Sequence, residues 1–244
     1  MNTATQFAPM KKMNKVIDNI KITDNFYLLK TDGVKNTRPG QFYMLRAWDK
    51  YPVLSRPISI FNVGEHLEFL YQVVGKGTEI LKNLKKGSPI NVYGPYGNGF
   101  DINVDSLAMV GGGVGVAPFY YLSKKILEKN KDAKLRLYLG EREGQNLESL
   151  FSDLPIDIKV KKGGFVTDII DFDKHKLYYA CGPEIMMKKI HELCRANNKN
   201  SYISLDLRMG CGLGACLSCS VDTKNGRKRS CKDGPVFMGS DIYE

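Results

Sequence analysis

No stretch of this 244-residue chain is long and apolar enough to span a bilayer. Runs such as Ile58-Ser59-Ile60-Phe61 stop far short of the ~18 residues required, which excludes a helical membrane protein. The apolar core of a secretory signal is missing too. The opening MNTATQFAPMKKMNKV carries three lysines and no such run, so a reducing cytoplasm is the expected location. Internal repeats and low-complexity tracts are absent. Although the net charge is +10, the basic residues are mostly dispersed instead of interleaved with aromatics on one element, so neither nucleic acid nor a membrane is an expected partner. The main exception is Lys224, Arg227, Lys228, Arg229 and Lys232, readable as a solvated turn or as a docking surface for an acidic protein. Cysteine is scarce, with six in all, yet four of them fall within 21 residues.

What is present changes character twice along the chain. Up to about residue 102, short strand-like runs alternate with turns: KVIDNIKI, NFYLLKT, GQFYMLRAW, PISIFNV, HLEFLYQVVG and PINVYG. They predict a small antiparallel barrel, interrupted by one helix over 77–85 with Thr78 capping its start. From about 103 to 200 the pattern becomes strand, glycine loop, helix, strand, the alternation of βαβ units around a parallel sheet. Residues 201–244 hold the clustered cysteines and are too few to build a core alone. Near ~40 residues a unit needs a metal or disulfide staple, and in a reducing compartment clustered cysteines more often hold metal. The expected class is therefore multi-domain, β followed by α/β, with a small C-terminal unit.

The cysteines run C-x4-C-x2-C-x11-C through Cys211, Cys216, Cys219 and Cys231. Structural zinc usually draws on two C-x2-4-C pairs, whereas C-x4-C-x2-C followed by a distant cysteine is the plant-type spacing of a 2Fe-2S centre. Iron-sulfur is the favoured reading, with a zinc staple and unligated thiols as the alternatives. Gly210, Gly212 and Gly214 would let the loop adopt positive φ and bring N–H groups to sulfur. The last spacing is shorter than in plant ferredoxins, so this is not simply a ferredoxin domain.

An iron-sulfur centre passes single electrons and needs a donor. RPIS (Arg56, Pro57, Ile58, Ser59) is followed one strand later by GKGT, where Gly77 and Thr78 open a helix and gather N–H groups around a point suited to a pyrophosphate. Alone, Arg56 reads equally as a salt-bridge partner and GKGT as a capped turn. AMVGGGVGVAPFYYL has firmer context: an apolar strand, then Gly111, Gly112, Gly113 and Gly115, then a helix with Pro118 in its first turn. These glycines suit the close approach of a dinucleotide, although Pro118 departs from the usual Rossmann fingerprint. In GEREG, Glu141 would favour NAD at a ribose and Arg142 NADP. In YYACGPEIM, Cys181, Gly182 and Pro183 repeat the strand-to-helix layout, with Cys181 readable as facing a bound ring or as a small buried hydrophobe.

The order RPIS, GKGT, GPYGNGF, GGGVGVAP, CGP and four cysteines resembles the ferredoxin-reductase superfamily over essentially the whole chain. Within it the chain is similar to the electron-transfer subunits of heteromeric, NAD-linked dihydroorotate dehydrogenases. Gly97 to Phe100 and the terminal cysteine loop are the most specific shared features; Tyr96 departs from an expected aliphatic residue. The resemblance implies an FAD-binding β-barrel (1–102), an NAD-binding α/β domain (103–200) and a 2Fe-2S domain (201–244). It also implies flavin contacts from Arg56–Ser59, a cofactor lining from Leu70, Tyr71 and Gln72, a pyrophosphate held by Gly77 and Thr78, and the four cysteines as ligands. The implied partner is an FMN-containing catalytic subunit, in a heterotetramer that makes orotate for pyrimidine biosynthesis. No side chain of this chain need act as acid or base. The small subunit of an NAD(P)H-ferredoxin or sulfide oxidoreductase shares the layout and is the alternative, with Asp206 not needed as a ligand. A non-catalytic zinc-stapled interaction module is the alternative of another class.

Overall fold

The structure, a computed structural model, describes residues 13–244. Residues 1–12, on whose composition the argument against a secretory signal mainly rests, lie outside them. β1 (Asn14–Lys21), β2 (Phe26–Thr31), β3 (Phe42–Arg46), β4 (Arg56–Ser59), β5 (Asn62–Val63), β6 (Leu67–Gln72) and β7 (Pro89–Tyr96) form one antiparallel sheet in the order β4-β3-β7-β1-β2-β6-β5. Its two outer strands are separated in sequence only by Ile60 and Phe61, so the sheet curls until its edges approach, as the expected barrel requires. PISIFNV, expected as one strand, is thus two. Ile60 N donates to Gln41 O on one edge (3.1 Å) and Phe61 N to Glu68 O on the other (2.8 Å). Leu29, Tyr43, Leu45, Leu67, Phe69, Tyr71 and Ile90 fill the interior.

α1 (Lys76–Lys82) lies at one end of the barrel and is shorter than the expected 77–85. Asn83 ends it by turning its side-chain amide to Glu79 O (2.9 Å). Thr78 caps from inside the first turn: its hydroxyl accepts from Val74 N (3.0 Å) and Gly75 N (3.1 Å) and donates to Gly75 O (2.9 Å).

The second unit contains β8 (Ser106–Gly112), α2 (Ala117–Lys129), β9 (Lys134–Glu141), β10 (Asp157–Lys162), β11 (Leu177–Cys181), α3 (Glu184–Ala196) and β12 (Asn200–Ser204). The strands are parallel in the order β10-β9-β8-β11-β12, as the βαβ pattern predicts. The expected boundary at 102/103 falls in the connection between β7 and β8. That at 200/201 needs correction, because it cuts β12, which pairs with β11 from Leu177↔Asn200 to Cys181↔Ser204.

The cysteine segment follows, with the hairpin β13 (Ser220–Thr223) and β14 (Gly226–Arg229), then α4 (Ser230–Asp233), β15 (Val236–Met238) and α5 (Gly239–Tyr243). β15 returns to pair antiparallel with β12, so the tail closes the edge of the second sheet instead of standing apart. The segment's small core of Met209, Cys219 and Cys231 is shared with Phe42 and Met44 of β3. Among the described residues no helix is long and apolar enough to cross a membrane.

α5 is secured where His191 of α3 meets Ser201 (Nδ1 to Oγ, 2.9 Å). A β-carbon on Gly239 would lie 2.4 Å from that hydroxyl and 2.5 Å from that ring nitrogen. Gly239→Ala is therefore expected to lower stability by about 1–3 kcal/mol, the usual cost of overpacking, in urea denaturation. An unchanged midpoint would show that the tail is not seated there.

Candidate functional site

Three groups of side chains and turns stand out. At the barrel edge, the RPIS and GKGT motifs meet although 20 residues lie between Arg56 and Gly77. A β-carbon on Gly77 would lie 2.5 Å from Arg56 Nε, so only glycine lets the guanidinium lie against this turn. Arg56 also donates to Leu54 O (2.6 Å) and stands over the Trp48 ring (5.5 Å). Among the described residues no carboxylate pairs with it, so the salt-bridge reading fails and a cation beside a turn is left for an anionic ligand. Pro57, Ile58 and Ser59 are half-buried along the same edge strand. Of the three residues expected to line the cofactor, Gln72 alone keeps appreciable surface. Leu70 and Tyr71 could line a cofactor only with backbone: strand β6 is covered on both faces, Leu70 packs toward α2, and the buried Tyr71 hydroxyl donates to Asn19 Oδ1 (3.2 Å).

In the second sheet, β9 and β11 flank β8 on opposite sides, which makes the carboxyl ends of β8 and β11 the topological switch point. The GGGVG and CGP motifs converge there. A β-carbon on Gly115 would lie 2.3 Å from Cys181 O, and one on Gly112 would lie 2.8 Å from Pro183 Cδ. Gly113 has φ +53 with open space around it, and Gly182 φ +150. Cys181 is buried, and that burial pushes its thiol up to about 12, with the Asp206 carboxylate adding to the effect. It is therefore an uncharged packing residue at the crevice floor. Asp206, exposed yet crowded enough that its own carboxyl is raised, acts on Cys181.

Glu141 points inward. Its side chain accepts from Leu147 N (3.0 Å) and lies 3.8 Å from Lys162 Nζ, while burial raises its pKa. Of the GEREG pair only Arg142 reaches solvent. Two apolar side chains that no periodicity announced stand open at the same carboxyl edge: Phe165 (72% exposed) after Gly163 and Gly164 at the end of β10, and Ile185 (79%) in the first turn of α3. The Gly-Gly-Phe triplet was the available signal.

The cysteine loop is the third site. Gly212 (φ +71) and Gly214 (φ +82) adopt the expected left-handed conformation. Gly210 is needed instead for space, since a β-carbon there would lie 3.1 Å from Cys216 Sγ. Leu213 N (3.3 Å) and Cys216 N (3.5 Å) donate to Cys211 Sγ. These bonds, led by that from Cys216, hold the Cys211 thiol below its ordinary pKa, and the Ser218 hydroxyl draws Cys216 down to about 6. Cys231 is buried beside Cys219, and burial first, then that neighbour, pushes it up to about 12. Cys211 thus lies against Cys216 and Cys219 against Cys231, and the charge of Cys211 also reaches Cys231. Among the described residues no three or more His, Cys, Asp or Glu side chains converge as ligands for a single ion. The basic residues nearby are mostly spent internally: Arg227 pairs with Asp222 (2.9 Å), Arg229 with Asp233 (3.1 Å) and Lys224 with Asp241 (3.5 Å). Of the expected basic surface, Lys228 and Lys232 make no salt bridge among the described residues, while Arg227 stays exposed in its pair with Asp222.

A barrel with an unpaired arginine at its edge, a parallel sheet with a glycine-lined switch point and a thiol-bearing tail packed on both define the class: a reductase of the ferredoxin-reductase fold with an iron-sulfur appendage. The model for the iron-sulfur cluster binding domain of dihydroorotate dehydrogenase B matches residues 206–243, and that for the oxidoreductase NAD-binding domain matches 109–153. The dihydroorotate dehydrogenase B (NAD(+)) electron transfer subunit of Clostridium acetobutylicum is 45% identical over 94% of this chain and 96% of its own length. That of Fusobacterium nucleatum is 38% identical over 93% and 96%. Among solved structures, a chain from the NADH-dependent reduced ferredoxin-NADP oxidoreductase superposes with TM-score 0.79 at 27% identity, over 96% of this chain and 91% of that one. The ferredoxin reductase of carbazole 1,9a-dioxygenase shares the fold at TM-score 0.65 and 19% identity, over 79% and 67%. The chain belongs to the family of dihydroorotate dehydrogenase B electron-transfer subunits, oxidoreductase components that work with a catalytic partner.

Proposed function

We propose that this chain, in the cytoplasm, carries electrons between the FMN of a dihydroorotate-oxidising catalytic subunit and NAD+, in a heterotetramer, using FAD and a 2Fe-2S centre. Nicotinamide exchanges a hydride, iron-sulfur single electrons and a flavin both, which is the reason for FAD to stand between the other two. Arg56 supplies the charge for the FAD pyrophosphate, with Gly77 and Thr78 shaping the turn beside it and Pro57, Ile58, Ser59 and Gln72 lining the way to the ring. Gly111, Gly112 and Gly115 let NAD approach β8 closely, opposite Cys181, Gly182 and Pro183, with Gly113 making the turn between them, while Phe165 and Ile185 offer apolar surface for its rings. Cys211, Cys216, Cys219 and Cys231 hold the irons. The observation that carries the reading is the C-x4-C-x2-C-x11-C spacing in a segment matched by the iron-sulfur domain model, which suits a binuclear centre where structural zinc usually takes two C-x2-4-C pairs.

Leu213 (62% exposed) and Leu217 (60%) flank Cys216 and give the catalytic subunit an apolar surface next to the centre. Co-purification is the test. The chain, expressed with its natural neighbours, is expected to bring down an FMN protein that reduces NAD+ with dihydroorotate. Recovery of a large FAD and 4Fe-4S subunit would instead assign it to the NAD(P)H-ferredoxin reductases, a reading supported by the likeness to the ferredoxin-NADP enzyme. A colourless, zinc-loaded protein would end both.

Arg56→Ala is expected to weaken FAD about 10- to 100-fold in fluorescence titration, the weight of a charge-assisted hydrogen bond, with iron content intact. Equal affinity would move the pyrophosphate elsewhere.

A further inference from the structure

The GPYGNGF stretch belongs to none of these three sites, yet it touches two of the chain's units at once. Its turn follows β7 directly. Gln41 Nε2 donates to Gly97 O (2.6 Å) and holds the turn from the barrel side. On the other side Asn98 N donates to Gly234 O (2.6 Å) and Asn98 Nδ2 to Asp233 O (2.8 Å). Gly97 has φ +74, and a β-carbon there would lie 2.6 Å from Pro235 Cδ and 2.7 Å from Gly234 O, so no other residue allows this approach. The contact continues inward. The Asp233 carboxylate accepts from Arg229 N (2.8 Å) and Nε (3.1 Å), and Arg229 donates onward to Gly214 O (3.3 Å), inside the loop between Cys211 and Cys216.

From this chain of bonds we infer that the Gly97–Asn98 turn is a positioning clamp that fixes the cysteine loop against the barrel strand nearest the flavin edge. The inference rests on the functional reading above. Two observations support a positioning role over simple bulk packing. Beneath the loop, Gly212 sits on Met44, where a β-carbon would lie 2.9 Å from Met44 Cγ, and Met44 is the register partner of Pro57 in the RPIS strand. One strand thus separates the thiols from the residues that face the flavin. The core joining the segment to the barrel, however, is small: Met209, Cys219 and Cys231 against Phe42 and Met44, with Tyr93, Tyr96 and Leu207 at its margin. That apolar contact is non-directional, and β15 ties the segment to β12 of the second sheet, whereas the clamp's hydrogen bonds and glycine approach set its register against the barrel. Electron tunnelling falls steeply with separation, so register is what an electron carrier must preserve.

The test uses the full-length chain carrying flavin and iron. Asn98→Ala is expected to retain both cofactors and native NADH oxidation by ferricyanide, which draws on the flavin. It should speed hydrogen exchange across residues 208–217, and slow the NADH-driven bleaching of the iron-sulfur absorption, each about fivefold, the weight of one hydrogen bond. Gly97→Ala should do both more strongly, while β3 exchanges at its native rate. Native exchange and native bleaching in both variants would overturn the clamp. A wild-type chain with no flavin or iron would overturn the functional reading instead, and the exchange comparison would still decide whether the turn holds the loop.

Discussion

Alanine at Cys231 is expected to remove the iron completely and abolish dihydroorotate-dependent NAD+ reduction, while NADH oxidation by ferricyanide through the flavin persists. Cys231 lies in the first turn of α4, beneath the surface and beside Cys219, and the one cation whose charge reaches it, Arg229, is already paired with Asp233. In the proposed centre an iron ion would take the Cys231 thiolate, with Cys219 as its neighbour. Without it the second iron keeps a single protein ligand in Cys219, and the binuclear centre cannot assemble. The segment should also lose order, because a unit this small takes much of its folding energy from the metal. Cys194→Ala is the control. Cys194 is as deeply buried, on α3, and burial alone pushes its thiol up to about 12. Its loss should leave a small cavity and full iron content. Iron analysis and the paramagnetic signal of the reduced centre separate the two variants. Full iron in Cys231→Ala would mean that the ligand set has been misassigned.

The barrel strands and the βαβ alternation were legible because each is a local matter. Alternating apolar residues, glycine loops and helix starts are written in consecutive residues, and the described strands fall where those patterns lie. The cysteine spacing was legible for the same reason. What escaped notice was decided by partners far along the chain. β15 is three residues, Val236–Met238, whose place is set by pairing with β12, and nothing local distinguishes them from a loop. The sheet therefore claims residues 201–204, which composition assigned to the tail. The residues alone left Arg56 open between a salt-bridge partner and a ligand contact until Gly77 was found beneath it, and left the basic segment open between a solvated turn and a docking face until Asp222, Asp233 and Asp241 were found beside it. Leu70 and Tyr71 show another limit of a linear reading: a strand covered on both faces offers a ligand its backbone edge, not its side chains.

Gly115 concentrates the dinucleotide argument in one atom. Gly115→Ala would place a β-carbon 2.3 Å from Cys181 O, 2.6 Å from its carbonyl carbon and 2.7 Å from Gly182 Cα, all of them backbone atoms at the end of a central strand. None can swing aside as a side-chain tip would, so the glycine loop itself must retreat from β11. A displacement of ~1 Å at a positioning element costs about 100-fold in rate, and kcat/KM for NADH with ferricyanide should fall by that order, chiefly through KM. Stability should drop by about 1–3 kcal/mol, which a domain with 5–15 kcal/mol in hand survives, so the variant is expected to fold with flavin and iron in place. Gly113→Ala isolates the other role of glycine. Nothing lies within 4 Å of its β-carbon position, and the cost is confined to holding alanine at φ +53, about 1–2 kcal/mol of backbone strain. If close approach of NAD to β8 is what the loop provides, Gly115→Ala loses NADH affinity and Gly113→Ala mainly loses stability. Equal loss of affinity in both would make loop flexibility, not the crevice floor at Cys181, the property that binds the nucleotide.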